Sequence, residues 1–255
     1  LGYYREKTND TVVFPDCLLL SKRMNRWIKS AEKNLCRQEV FGDIQTKIVD
    51  YEFTWRENTR GEGRLVVQSL QGKEKPFILF DPEGSRRLPK DYPANYLLEE
   101  IMGLRFLVSP LAFLQVNPKQ TEVLYAKALE YAALTGNETV WDLYCGVGTI
   151  TLLLARHARE VVGVEENPYA VSDAEKNAAL NGLRNVRFVQ GKTEEKLKSL
   201  LGCGAVKPDV IVLDPPRAGV DPKGLEQIIH VAPQRIVYVS RDPATLARDL
   251  GRLAI

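Results

Sequence analysis

A chain of 255 residues, 44% of them hydrophobic, can bury a sizeable core and fits one large domain or one domain with a smaller companion. Its formal net charge of +2 argues only weakly for nucleic acid and does not argue against it. The four cysteines (Cys17, Cys36, Cys145 and Cys203) form no CxxC pair, which speaks against a disulfide scaffold or a zinc site, and no apolar run is long enough to span a bilayer.

Over residues 18–35 the apolar side chains Leu20, Met24, Trp27, Ile28, Ala31 and Leu35 recur at helical spacing. "TKIVDYEFTW" and "GRLVVQSL" then read as two strands joined by the charged link "RENTRGE", with "PFILF" as a third strand and "DPEGSRRLPKDYP" as a loop. This part is α+β and irregular. A helix over residues 118–133 bridges to a regular second part. There, strands "TVWDLY", "EVVGVE", "VRFVQ", "DVIVLD" and "RIVYVS" alternate with helices "TITLLLARHA", 168–180, "TEEKLKSLL", 224–230 and "PATLARDL". Five apolar strands alternating with helices predict an α/β, doubly wound, mostly parallel sheet covered on both faces. The expected division is an α+β domain over residues 1–105 and a Rossmann-like domain over 106–255.

"DLYCGVGTI" is the first strand-to-helix turn. Gly146 and Gly148 permit a sharp turn and close ligand approach, although the third glycine of a dinucleotide fingerprint is replaced by Thr151. A plain structural turn is the alternative. Glu165 ends the second strand, where a carboxylate can accept both hydroxyls of a ribose; alternatively it is a charge at a helix start, a role that Glu166 or Asn167 would fill equally well. Turn and acid together fit an adenosine-containing cofactor, NAD or S-adenosylmethionine. The fourth strand ends in Asp214-Pro215-Pro216-Arg217. Two prolines make a stiff extended loop without N–H donors, which fixes Asp214 beside a flat surface. That suits methyl transfer to a planar base better than hydride transfer; a rigid turn with a capping Asp is the alternative.

Taken together, "FLQVNPKQ", "DLYCGVGTI", "VVGVEENPYAVSDAEKNAALNG", "LDPPRAGVD" and "YVSRDPATLARDL" resemble, in order and spacing, the S-adenosylmethionine-dependent RNA uracil-5-methyltransferases, which modify ribosomal and transfer RNA. "LGYYREKTNDTVVFPDCLLL" is similar to the family's segment before its central domain. The resemblance implies the class I methyltransferase fold, S-adenosylmethionine as cofactor, RNA as partner (rRNA ahead of tRNA), and cofactor binding by Gln115, Tyr144, Gly146, Gly148, Glu165 and Asp214. From the residues alone, Gln115 also reads as a cap for the helix at Pro118, and Tyr144 as core. A cytoplasmic monomer that meets no membrane is expected. The resemblance also implies its chemistry. A thiolate adds to carbon 6 of uracil and makes carbon 5 nucleophilic; after methylation a base removes the carbon-5 proton. The target base must first leave its stack.

The sequence departs from that pattern at one decisive place. The family's Ser-Cys-Asn-Pro is here Ser240-Arg241-Asp242-Pro243, so Arg241 stands at the nucleophile position, and a guanidinium cannot add to carbon 6. Arg241 therefore grips phosphate or a base edge in an impaired homologue, or methylation uses another atom with Asp214 or Asp242 as base, or the residue is altered in an ordinary enzyme. An ion pair with Asp242 or Asp214 that merely closes the site is the plainest alternative. The chain begins at Leu1 and stops after a helical pattern, so both ends read as cut. The family's general-base glutamate and last antiparallel strands are expected beyond the end. Cys17 matches the last of four cluster cysteines, and one thiolate cannot hold a four-iron cluster, so an iron–sulfur cluster is expected only in a longer protein. Tyr3, Tyr4, Arg5, Lys7, Lys22, Arg23, Arg26 and Lys29 interleave aromatic and basic character suited to RNA; a solvated helix face is the alternative. His157 and His230 are expected near helix C-termini rather than in catalysis.

Overall fold

The computed structural model describes residues 96–254, apart from 110, 111, 114, 116 and 203–205, together with the backbone of five earlier strands. Those strands are β1 (Gly2–Tyr4), β2 (Thr11–Val13), β3 (Tyr51–Glu57), β4 (Gly63–Ser69) and β5 (Phe77–Phe80). β1 pairs antiparallel with β2, and β3, β4 and β5 form a three-stranded sheet in that order. The strands expected at "GRLVVQSL" and "PFILF" are present, and the one expected at "TKIVDYEFTW" runs from Tyr51. The helix expected over residues 18–35, Cys17, and the aromatic and basic side chains nearer the start lie outside the described residues. The chain divides into two compact units, residues 1–55 with 65–77, and residues 56–64 with 78–255.

The second unit holds β6 (Leu97–Ile101), β7 (Leu104–Val108), α1 (Pro118–Ala132), β8 (Thr139–Leu143), α2 (Thr149–Ala155), β9 (Glu160–Glu165), α3 (Pro168–Leu180), β10 (Val186–Gln190), α4 (Thr193–Gly202), β11 (Val210–Leu213), α5 (Pro222–Val231), β12 (Arg235–Tyr238) and α6 (Pro243–Leu253). β8 to β12 make a parallel sheet in the order β10-β9-β8-β11-β12, the doubly wound α/β architecture. Every residue of the central strands β8 and β11 is buried; β11 reads as a continuous apolar run, and β8 as one interrupted by Asp142. Alternate side chains serve opposite faces. Val140, Val161 and Val212 pack with Tyr125 and Ala128 of α1 and Ala178 of α3, whereas Trp141, Val162 and Ile211 pack with Leu197 of α4 and Ile228 of α5. The strand order reverses between β8 and β11, so the carboxyl ends of these strands open a crevice.

Four helices start alike. Asn117, Asn167, Asp221 and Asp242 each accept a backbone N–H from the first turn, and each is followed by proline at the first helical position. The cap of α1 is thus Asn117, not Gln115, because only the residue directly before Pro118 reaches the free first-turn amides. Likewise α5 starts at Pro222 rather than Gly224, since Asp221 caps it. α2 ends at Ala155, short of the expected Ala158, because the Asn185 amide donates to the carbonyls of Ala155 and Ala158 and closes the turn; His157 lies in that turn. β6 and β7, which the sequence reading did not separate out, form a hairpin across Met102 (φ 49°) and Gly103 (φ 79°), both left-handed as a two-residue hairpin turn demands. The free edge of β7 is satisfied by a polar ladder on α3. Asp173 accepts from Ser109 N–H, Asn177 bonds Leu107 N–H and C=O, and Asn181 bonds Arg105 N–H and C=O. Four helical residues rise about 6 Å and two strand residues nearly 7 Å, so the two repeats stay in step over this length.

Candidate functional site

At the carboxyl ends of β8, β9, β11 and β12 lies a cleft of about 250 Å³ that Phe113, Gln115, Asp142, Tyr144, Gly146, Glu165, Asp214 and Arg241 line. Six of the seven residues singled out from sequence come together here. Gly148 is the exception: it caps α2 from behind, at φ 84°, where a Cβ would sit 3.2 Å from that of Ala174.

The turn after β8 is shaped by backbone geometry. Tyr144 takes a left-handed φ of 68°, unusual for a residue with a Cβ, and the N–H groups of Tyr144 and Cys145 both donate to Val164 C=O. Gly146 follows at φ 56°, and a Cβ there would meet nothing within 4 Å, so its backbone is open to a ligand. Its N–H donates to Glu165 Oε2 at 3.0 Å, while Glu165 Oε1 accepts from Asn167 N–H at 2.8 Å. The acid at the end of β9 therefore locks the glycine turn, and Asn167, not Glu165, caps α3. Tyr144 is partly core: its ring packs on the α4–α5 face, and burial pushes its phenol up to about 12, against a hydrogen bond with Thr193.

Asp214 lies at the tip of β11 with its side chain 12% exposed. Burial lifts its carboxyl above the ordinary value, and the Arg241 guanidinium and the Gln115 amide hold it back in part. Arg241 Nη2 stands 3.6 Å from Asp214 Oδ1, and the guanidinium lies over the Phe113 ring at 4.9 Å. Of the two ion pairs expected for Arg241, the structure forms the one with Asp214. Asp242 is committed elsewhere, its Oδ1 accepting from Ala244 and Thr245 N–H. Cys145 is buried, with Sγ against Gly163; burial pushes its thiol well up, so it is no thiolate.

Three residues escaped the sequence reading. Phe113 supplies the aromatic floor under Arg241. Tyr125 of α1 bonds Thr149 Oγ1 at 3.0 Å, and burial pushes it up to about 12. Asp142 is 1% exposed and bonded to Thr151 Oγ1. Burial first, then the neighbouring Asp214 and Glu165 charges, push its carboxyl up to about 7 against the Thr151 hydrogen bond. A lone acid inside the apolar strand "TVWDL" was the available signal. Asp142 Oδ1 and Asp214 Oδ1 are buried and have no hydrogen-bond partner among the described residues. Asp142 Oδ1 without a hydrogen-bond partner, Asp214 Oδ1 facing only the Arg241 guanidinium at 3.6 Å, an open glycine backbone and the Glu165 carboxylate make a cleft suited to a polar ligand. Among the described residues no cluster of His, Cys, Asp and Glu could hold a metal ion, and no helix is long and apolar enough to cross a membrane.

Comparison with known proteins agrees with this architecture. The model of the family described as tRNA (uracil-5-)-methyltransferase matches residues 90–255, more than half of the chain. An uncharacterised RNA methyltransferase of Clostridium acetobutylicum is 35% identical, covering 100% of this chain and 61% of the relative. One from Caldanaerobacter subterraneus is 52% identical over 64% of this chain and 36% of its own length. The chain thus spans about a third to three fifths of these curated relatives. Among solved structures, the Pyrococcus abyssi tRNA (uracil-54, C5)-methyltransferase in complex with S-adenosyl-L-homocysteine superposes with a TM-score of 0.64 at 24% identity, over 98% of this chain and 65% of that one. A SAM-dependent methyltransferase from Agrobacterium tumefaciens gives 0.51 at 18% identity, over 80% and 78%. Both share the fold.

Proposed function

Since the chain belongs to the tRNA (uracil-5-)-methyltransferase family, we propose that it transfers a methyl group from S-adenosylmethionine to carbon 5 of a uridine in RNA, ribosomal RNA ahead of transfer RNA. The observation that carries this reading is the convergence of Gly146, Glu165 and Asp214 from three adjacent strand ends on one cleft. Glu165 would accept the ribose hydroxyls, Gly146 would let the backbone approach, and Gln115, Tyr144 and Asp214 would complete the cofactor side. When bound, S-adenosylmethionine supplies an electrophilic methyl group.

The chain's own groups have distinct tasks. Pro215 and Pro216 hold Asp214 rigid, and Pro216 forms part of the cleft wall against which a flipped base would lie. Asp214, whose carboxyl burial raises above the ordinary value, holds a proton more readily than an exposed carboxylate does. Arg241 can bind a base carbonyl or a phosphate but cannot attack carbon 6.

A second reading is favoured by the Arg241–Asp214 pair: a homologue that binds cofactor and RNA with its carbon-5 chemistry disabled. Residues 1 to about 105 are proposed to receive the RNA, in a cytoplasmic monomer. An iron–sulfur cluster would need three thiolates besides Cys17. The test is to supply the protein with radiolabelled S-adenosylmethionine and ribosomal RNA lacking the modification, then identify the labelled nucleoside. Labelled 5-methyluridine supports the first reading; no label with cofactor still bound supports the second.

A further inference from the structure

The loop that carries Asp214 cannot anchor itself. Asp214 N–H makes the last contact with the sheet, a long one of 3.5 Å to Leu143 C=O, and Pro215 and Pro216 have no N–H to offer. The next bond, from Gly219 N–H to Pro216 C=O at 2.9 Å, is internal to the loop. Among the described residues the next backbone anchor outside it comes from α6. Asp249, fully buried, accepts Val220 N–H on Oδ2 at 2.8 Å, and Arg248 Nη2 donates to Ala218 C=O at 2.8 Å. Arg248 also pairs with Asp249 Oδ1 at 2.7 Å. The fit is tight: a Cβ on Gly219, at φ 81°, would sit 2.5 Å from both Arg248 Nη2 and Asp249 Oδ2.

The same oxygen has a second partner. Tyr238 Oη, at the end of β12, donates to Asp249 Oδ2 at 2.6 Å. Three residues beyond Tyr238 stands Arg241. One carboxylate oxygen thus ties together the two segments that face each other across the cleft, the Asp214 loop and the Arg241 tip. We propose that Asp249, supported by Arg248, is a positioning residue that sets the Asp214 loop against the tip of β12 and so fixes the width of the substrate side of the cleft. What passes through the cleft rests on the methyltransferase reading; the positioning itself is measured without turnover.

The test compares the full chain with its Asp249→Asn variant, using amide hydrogen exchange and a carbon-13 NMR titration of the Asp214 carboxyl. In Asp249→Asn, Val220 N–H is expected to exchange at least about tenfold faster while Val140 and Val212, in the sheet, keep their wild-type rates. The Asp214 midpoint is expected to fall toward the ordinary carboxylate value, because burial is what raises it. Unchanged Val220 protection with an unmoved Asp214 overturns the proposal, and so does exchange that accelerates evenly through the sheet, which marks a merely structural acid. Tyr238→Phe leaves Asp249 and its Arg248 pair in place and decides the matter if the first variant does not fold. It should move the Asp214 midpoint with Val220 still protected, and an unmoved midpoint overturns the idea. Where turnover is measurable, Asp249→Asn should lower kcat with the KM for S-adenosylmethionine unchanged. Absence of turnover in the wild-type chain would count against the methyltransferase reading alone.

Discussion

Replacing Asp142 by Asn should remove a pH dependence from the stability of this protein. The Asp142 carboxyl is buried in the sheet and pushed from its ordinary 3.8 up to about 7, chiefly by burial. The folded state therefore binds this proton more tightly than the unfolded chain does. The stabilisation is fully present below the unfolded value and is lost as pH rises through the folded one. The shift of about three units, at 1.36 kcal/mol each, corresponds to about 4 kcal/mol across the whole window, of which roughly 3 kcal/mol falls above pH 5. Asn cannot ionise, yet its carbonyl can still accept from Thr151 Oγ1, so the variant keeps the shape of the site. Urea unfolding at about pH 5 and about pH 8 measures the effect. Wild type should lose stability over this interval and Asp142→Asn should lose about 3 kcal/mol less. Glu138, held down to about 2 by its Thr135 and backbone hydrogen bonds, titrates below this window and does not disturb it. Equal pH slopes in the two proteins would show that Asp142 is ionised in the fold, and the reasoning from burial would fail.

Glu165→Ala should weaken S-adenosylhomocysteine binding by about ten- to a hundredfold, the effect of losing about 1.5–3 kcal/mol of charged hydrogen bonding; unchanged calorimetric affinity would contradict its ribose role. Arg241→Cys should raise the Asp214 titration midpoint, since the guanidinium is what holds that carboxyl down, and should yield labelled 5-methyluridine if carbon-5 chemistry is disabled only at this tip. Asn177→Leu leaves Leu107 N–H and C=O and Val147 C=O without their partner; at about 1 kcal/mol each this costs about 3 kcal/mol, read as a melting temperature lower by roughly 6–12 °C.

The sheet was legible because its strands are covered by helices and so appear as short, largely apolar runs alternating with helical segments, and because a strand end fixes where the following turn can place an acid. Glu165, Gly146 and Asp214 follow from that rule alone. The hairpin β6–β7 was not legible, because Glu99 and Glu100 interrupt its alternation and read as solvent-facing, yet Glu99 is buried. The α3 ladder was hidden for a related reason. Asp173, Asn177 and Asn181 look like a polar helix face, and only the fold shows that they meet the open edge of β7. The end of α2 depends on Asn185, a side chain about thirty residues away, and no local pattern carries that. Asp142 was passed over because an acid in a strand reads as a break in the apolar run rather than as a buried group beside a ligand cleft.

The arginine at the β12 tip was visible at once, and the structure narrows what it means. The tip is held from behind by Tyr238 and Asp249, and from below by the Asp242 cap and its proline, and none of these contacts involves the Arg241 side chain. The side chain instead faces the cleft, over Phe113 and against Asp214. The scaffold that presents residue 241 is therefore independent of which residue stands there. A substitution at this position changes the chemistry presented to the cleft without changing where it is presented. The guanidinium faces Asp214 and covers one wall of the cleft, so on the proposed reading a base entering would displace it or accept its hydrogen bonds. On that proposed reading the cost or gain would appear in RNA binding before any methyl group moved, which makes RNA affinity with and without Arg241 as informative a test of this site as turnover.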